Sequence, residues 1–185
     1  MIAPLPILSS WPRSRENVGA CSTRGPRRSA EGFRVRNENG GTAGTRKPSC
    51  AGVGSHAILV YDDQTPVGWC QYGRQDELPR IDARRTYRKA APAVRVTNLW
   101  RITCFFVDRD HRGRGVAKIA LHAALESIKK QGGGIVEAFP VVSKKMAAVP
   151  EWRWFGTPGM FQKEGFQRVG PLGTSGVLMR KRFSR

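Results

Sequence analysis

Apolar positions are spaced unevenly along this chain, and the spacing divides it. Residues 1–53 are rich in Gly, Ser, Arg, Pro and Asn and hold no sustained period of two or of 3.6. They read as a mostly disordered basic segment, with at best a short helix around residues 29–37. From residue 54 the pattern sharpens. Residues 57–61 (AILVY) and 67–72 (VGWCQY) are strand-like runs around a tight turn at 62–65, which predicts a hairpin. A long connection follows over 73–97, in which 81–89 reads as a short basic helix. Residues 102–107 (ITCFFV) form an apolar, β-branched and aromatic run short enough for a buried strand. After the polar loop 108–114, Val116, Ile119, Ala120, Ala124, Leu125 and Ile128 recur at helical spacing until Gly132 and Gly133 stop them. The run at 135–139 is the next strand, parallel to 102–107 because a helix joins the two. A loop over 140–156 carries Trp152, Trp154 and Phe155, which either line a pocket or pack over the core edge. Residues 157–166 read as a short helix, with Thr157 as N-cap, Pro158 in the first turn and Gly165 as the stop. Strands at 166–169 and 177–182 close the chain, linked by the turn 171–176.

Composition narrows the class without choosing a function. The chain has 185 residues, enough for one domain with a proper core and some surplus. No apolar run approaches the length of a membrane span, and the first eight residues lack the charged leader of a secretory signal. Cys21, Cys50, Cys70 and Cys104 have no paired spacing, so they read as free thiols of a reducing cytoplasm. His56, His111 and His122 are scattered, which predicts no metal site. The net charge of +18 points to an anionic partner: nucleic acid, an acidic substrate or a phosphate-bearing cofactor. It equally describes a solubilising surface. The charge is diffuse, with Arg180-Lys181-Arg182 as the one run of three basic residues, and a basic tail over 1–53 is the part suited to nucleic acid.

Strand, glycine-rich turn and helix in that order leave unpaired backbone N–H groups and the positive end of a helix dipole aimed at one point. That is an anion site. Its residues, Arg112-Gly113-Arg114-Gly115-Val116-Ala117, fit Arg/Gln-x-x-Gly-x-Gly/Ala and resemble the pyrophosphate-binding loop of the GNAT superfamily of acyl-CoA N-acyltransferases. Neither the Rossmann nor the P-loop spacing is met. The plainer reading is a basic turn that caps a surface helix. Two further stretches carry the resemblance: Pro66-Val67-Gly68-Trp69 looks like the family's hairpin before the cofactor strand, and residues 157–166 are similar to its Tyr-x-x-x-Gly-Phe motif, with Phe161 where tyrosine commonly stands. The resemblance covers about residues 55–185 and looks like an actinobacterial-type branch without an assigned substrate. The strand and one or two helices with which the family opens are not legible in 1–53.

The resemblance implies an α/β (α+β, GNAT-like) fold: a mixed, mostly antiparallel central sheet with one parallel, splayed strand pair and flanking helices, over residues 54–185. It also implies acetyl transfer from acetyl-CoA to a primary amine by direct attack in a ternary complex, with no metal. Backbone groups of Phe105, Phe106 and Val107 would pair with the pantetheine arm, and the Val107 N–H would face the thioester oxygen. Arg112, Gly113, Arg114, Gly115, Val116, Ala117 and Lys118 would wrap the pyrophosphate, with Phe161 beside the cofactor. Glu137 is the nearest carboxylate for a general base, and its other reading is a strand residue paired with an arginine. Arg101 stands where some members carry a glutamate. Two other functions stay open: a non-catalytic acyl-CoA-binding member, and a basic nucleic-acid-binding protein. The acceptor is unnamed by the sequence, and pairing as a homodimer, as many relatives do, is left open too.

Overall fold

The computed structural model describes residues 32–39, 56–91, 98–142 and 154–183. Its centre is a seven-stranded sheet: β1 (Phe33–Asn39), β2 (His56–Asp62), β3 (Thr65–Arg74), β4 (Leu99–Val107), β5 (Ile135–Ala138), β6 (Gln167–Leu172) and β7 (Gly176–Arg182). The spatial order is β1-β2-β3-β4-β5-β7-β6. Every neighbouring pair is antiparallel except β4 and β5. This is the mixed sheet with one parallel pair that the sequence predicts. Among the described residues three helices accompany it: α1 (Arg85–Ala90), α2 (Val116–Lys130) and α3 (Pro158–Lys163).

The helix α2 forms because its apolar residues repeat on one stripe. Val116, Ala120, Leu121, Ala124, Leu125 and Ile128 are buried against the sheet, and Lys129 and Lys130 complement the dipole in the last turn. The Gly133 N–H closes the end on the Ile128 carbonyl at 3.0 Å. Ile58, Val60, Cys70, Tyr72, Trp100, Ile102, Phe105, Val136 and Ala138 complete this core. The opposite face is covered by α1, whose Tyr87 and Ala90 pack with Leu178, Phe139, Val169 and Leu172. Among the described residues, no helix is long and apolar enough to cross a membrane.

Two expectations are corrected. The short helix expected around residues 29–37 is instead strand β1 over Phe33–Asn39, paired along its length with β2. That strand lies on the N-terminal side of the expected boundary at 53/54 and belongs to the same sheet. It escapes a search for apolar alternation because it is an edge strand: Arg34, Val35, Arg36 and Asn37 are exposed, and charge on an edge discourages further pairing. Polar bonds anchor it instead. The Asn37 side-chain Nδ2 donates to the Ser127 hydroxyl of α2 at 2.7 Å, and the Tyr72 hydroxyl donates to the Asn37 side-chain Oδ1 at 3.2 Å. The second correction is the helix expected over 81–89, which is a 3-10 turn at Pro79–Ile81 followed by α1. Trp152, like the rest of 143–153, lies outside the described residues; Trp154 and Phe155 are partly exposed.

Gly68 fixes where α2 begins. A Cβ there would stand 2.5 Å from Cγ1 of Val116 and 3.0 Å from the Phe106 carbonyl oxygen. The missing side chain lets the first residue of α2 rest directly on β3. Gly68→Ala is expected to cost about 1–3 kcal/mol through overpacking, read as a lower urea midpoint at unchanged slope. An unchanged midpoint would mean that the helix start shifts freely.

Candidate active site

The site is built by a change of register inside β4. Gln71 lies opposite Cys104 and Tyr72 opposite Ile102, so Thr103 is one residue too many for β3. Such a bulge reverses which residues turn their backbone groups to either side. Before it, the Gln75 N–H donates to the Leu99 carbonyl at 2.8 Å and the Ile135 N–H to the Asn98 carbonyl at 2.9 Å. By alternation, Leu99 and Arg101 address β3, whereas Trp100 and Ile102 address β5. After it, the Asp108 N–H donates to the Val67 carbonyl at 2.8 Å. Phe106 therefore addresses β3, and Phe105 and Val107 turn their N–H and C=O groups to the β5 side. On that side β5 has ended. Its pairing with β4 stops at Ile102 and Ala138, four residues after it starts. Among the described residues, no strand therefore pairs with β4 on this side at Phe105 and Val107. Phe106, expected to share this role, points its backbone the other way.

The loop after β4 aims at the same edge. Asp108 caps a 3-10 turn over Arg109–His111 by accepting from the Asp110 N–H at 3.0 Å. Burial raises the Asp108 carboxyl's pKa, but bonds from His111 and the Asp110 N–H outweigh it and hold the carboxyl below its ordinary value. His111 also reaches Asp62 at 3.3 Å, and Arg114 reaches the same carboxylate at 3.6 Å, which ties the loop to the β2–β3 turn. Arg112 folds back, its Nε donating to the Val107 carbonyl at 3.2 Å. Gly113 and Gly115 have φ of 76° and 85°, and Gly115 is the N-cap of α2. The backbone N–H groups from Gly113 to Ala117 find no acceptor among the described residues, whereas Lys118 and Ile119 already bond to the Gly115 carbonyl. Five consecutive donors without a partner among the described residues thus lead into the N-terminus of α2, where the helix dipole favours an anion.

Below the open edge lies a buried ionic network that the sequence reading did not assemble. Arg101 and Glu137 face each other across the parallel pair and are both fully buried. The Arg101 Nε donates to Glu137 Oε2 at 3.4 Å, one terminal nitrogen donates to the Leu78 carbonyl and Asp82 at 3.1 and 2.9 Å, and the other donates to Asp82 and, at 3.1 Å, to the Tyr87 hydroxyl. Tyr87 in turn donates to Glu137 Oε2 at 2.8 Å, and Arg180 donates to Oε1 at 2.9 Å from Nε. Two arginines and two carboxylates balance. Hydrogen bonding to Arg101 is the main reason the Asp82 carboxyl sits below its ordinary pKa, and burial pushes the Tyr87 phenol up.

The sequence model of the Acetyltransferase (GNAT) family matches residues 27–156, from before β1 to just before α3. The chain belongs to this family. No functionally curated protein matches it. Similar solved structures include the NatC complex bound to Gag peptide and CoA, at 14% identity, covering 69% of this chain and 71% of that one with a TM-score of 0.47. An acetyltransferase from Thermus thermophilus is 18% identical over 70% of this chain and 64% of its own, TM-score 0.45. A ribosomal-protein-alanine N-acetyltransferase from Brucella melitensis is 13% identical over 70% and 69%, TM-score 0.44.

Within this GNAT chain the expected residues divide. Val107, Phe105, Arg112, Gly113, Arg114, Gly115, Val116, Ala117 and Lys118 gather at the open edge and the turn beside it. Phe161 is fully buried behind Phe105, packed edge-to-face against it at 6.0 Å and against Phe166 at 5.1 Å between ring centroids. Glu137 is present but enclosed, with both carboxylate oxygens taken by donors. Cys104, just after the bulge, is a poor nucleophile because burial pushes its thiol up to about 11. The described residues hold no group of three or more His, Cys, Asp or Glu that could bind a metal ion.

Proposed function

We propose that this GNAT member transfers an acetyl group from acetyl-CoA to a primary amine by direct attack in a ternary complex. The observation that carries the reading is that five backbone N–H groups, Gly113 to Ala117, have no partner among the described residues and follow directly on the stretch of β4 where no described strand pairs with Phe105 and Val107. The first suits a pyrophosphate, and the second suits an extended arm that adds to the sheet edge. Acetyl-CoA supplies the activated acyl group. The chain's own share is orientation: holding two reactants in line accounts for several orders of magnitude in rate. The Val107 N–H is a fixed donor at the position where oxyanion charge would develop, worth roughly 3–4 kcal/mol in comparable sites. Arg112 donates to the Val107 carbonyl and so fixes the following peptide, Val107–Asp108.

Proton transfer falls to groups other than those the sequence nominates. Glu137 has no lone pair turned to the edge, so we assign it to positioning of β4 against β5. Phe161 cannot donate a proton. A thiol of ordinary pKa near 8.5 leaves tolerably as thiolate, so an acid is dispensable. These same two residues favour a second reading, acyl-CoA binding without turnover. A calorimetric titration of acetyl-CoA into the full chain, followed by a thiol-release assay with amines, separates the two. Binding with release supports acetyl transfer, and binding without release across the amines supports the second reading. Absence of binding by a folded chain removes both. The full chain is required, because a start at residue 54 would delete β1.

A further inference from the structure

On the sheet face opposite α2, the helix α1 carries a charged surface that acetyl transfer alone leaves unexplained. Between Asp82 and Asp108 the sequence has no Asp or Glu, yet it places Arg84, Arg85, Arg88 and Lys89 on or beside α1. These four, and Arg80 just upstream, are exposed. None has a carboxylate within ion-pair distance among the described residues. Local energetics do not ask for all of them. Arg88 and Lys89 complement the dipole in the last turn, but Arg84 and Arg85 sit at the N-terminus, where positive charge is unfavourable. Cations that oppose their own helix are better explained by something that docks on them.

From its place over β6, α1 also reaches the end of β5, where the pairing with β4 stops. The Tyr87 ring of α1 lies 6.2 Å from the ring of Phe139, the residue that follows the end of β5. The carboxylates nearest to it on this face, Asp82 and Glu137, are both engaged by Arg101. An amine approaching here meets exposed cations and, among the described residues, no free carboxylate. Like charge favours the neutral form of an amine, the form that attacks, so the surface can take over part of the work of the missing base. An α-amino group, with an ordinary pKa of about 8, needs the least help. The six-residue helix is about 9 Å long, matching roughly three residues of extended peptide and exceeding what one free amino acid spans.

Resting on the acetyl-transfer reading above, we infer that the acceptor is the α-amino group of a peptide whose first residues are acidic, their carboxylates pairing with Arg84, Arg85 and Arg88. In the reaction the amine nitrogen forms the C–N bond and the C–S bond of the thioester breaks with its electron pair on sulfur. The proton lost by nitrogen ends on that thiolate, through water, giving an amide and a free thiol.

The test measures thiol release by the full chain with acetyl-CoA and three peptides that have a free N-terminus and no lysine: acidic, neutral and basic in their next residues. At low salt the acidic peptide is expected to exceed the neutral one in kcat/KM by about tenfold or more, and the advantage should fade at high salt. Arg84→Glu/Arg85→Glu should abolish the preference while acetyl-CoA affinity stays unchanged; acids at the first turn suit the helix, so the variant keeps α1. Lys129→Gln/Lys130→Gln, on the far end of α2, should leave the preference intact. Equal rates for acidic and neutral peptides would overturn the inference, as would free aspartate serving as well as the acidic peptide. So would a surface that binds single-stranded RNA through Arg84 and Arg85 while every peptide stays inert. Acetyl-CoA bound with no peptide acetylated overturns this inference alone; acetyl-CoA not bound overturns the function beneath it.

Discussion

Gly115→Val should remove acetyl-CoA binding while leaving a folded chain. Gly115 sits at φ 85°, ψ 3°, where a β-branched residue is a genuine outlier and strain of about 1–2 kcal/mol is expected. That strain alone lowers stability modestly. The larger effect is on the ligand. A Cβ at Gly115 would meet no atom within 4 Å apart from its chain neighbours, so there is open space where the new side chain starts. It would instead project among the donors of Gly113 to Ala117, the groups proposed to bind the pyrophosphate. Losing two or three charge-assisted hydrogen bonds, each worth roughly 1.5–3 kcal/mol, corresponds to a fall in affinity of at least about a hundredfold. Gly115→Ala should fall between, with the strain but a smaller obstruction. Calorimetry on each variant, beside its circular dichroism, checks this. A folded Gly115→Val chain that binds acetyl-CoA within a few-fold of the parent would show that the loop is not the pyrophosphate site.

Why this loop could be read from sequence, and the network beneath it could not, follows from the range of the interactions. The pyrophosphate loop is local. Its strand, its glycines and the apolar stripe of α2 lie within one short stretch, and each leaves a pattern at short spacing. The β2–β3 hairpin and the Thr157 cap of α3 are local in the same sense; Thr157 accepts from the Met160 N–H at 3.4 Å. The edge strand β1 left no such trace, because among its described side chains Phe33 alone packs on the core and the anchoring bonds of Asn37 go to Tyr72 and Ser127, far along the chain. The exclusion of Phe106 from the open edge depends on one surplus residue, Thr103, in a strand whose hydrophobic pattern looks continuous across it. Glu137 offers the sharpest case. In the sequence it is a lone carboxylate near a proposed active site, a natural candidate for a base. Only the parallel register that sets Arg101 opposite it, together with Tyr87 and Arg180 arriving from other elements, shows that its lone pairs are spent.

That enclosure yields the other large effect. Arg101→Met removes the guanidinium that serves Asp82, Glu137, Tyr87 and the Leu78 carbonyl, and breaking a buried pair from one side costs about 3–5 kcal/mol. Glu137 keeps Arg180 and Tyr87, which places the expected loss nearer the lower figure. For a chain of this length it appears as a melting point lower by roughly 6–15 °C. The acid limb should change as well. Asp82 titrates below its ordinary value because of Arg101, so its contribution is fully present above the unfolded aspartate pKa of about 3.9 and is lost as pH falls through the lower native value. In Arg101→Met that extra loss of stability between the two values should flatten. Glu137→Gln separates structure from chemistry. It should lower the melting point while kcat/KM per folded molecule, and the pH at which activity rises, stay as in the parent. A general base replaced by its amide would instead lose about 10²–10⁴ in rate and take the rising limb of the pH profile with it. If Glu137→Gln melts like the parent and shows that loss, Glu137 is the base, and the network of Arg101, Tyr87 and Arg180 must open to release it during turnover.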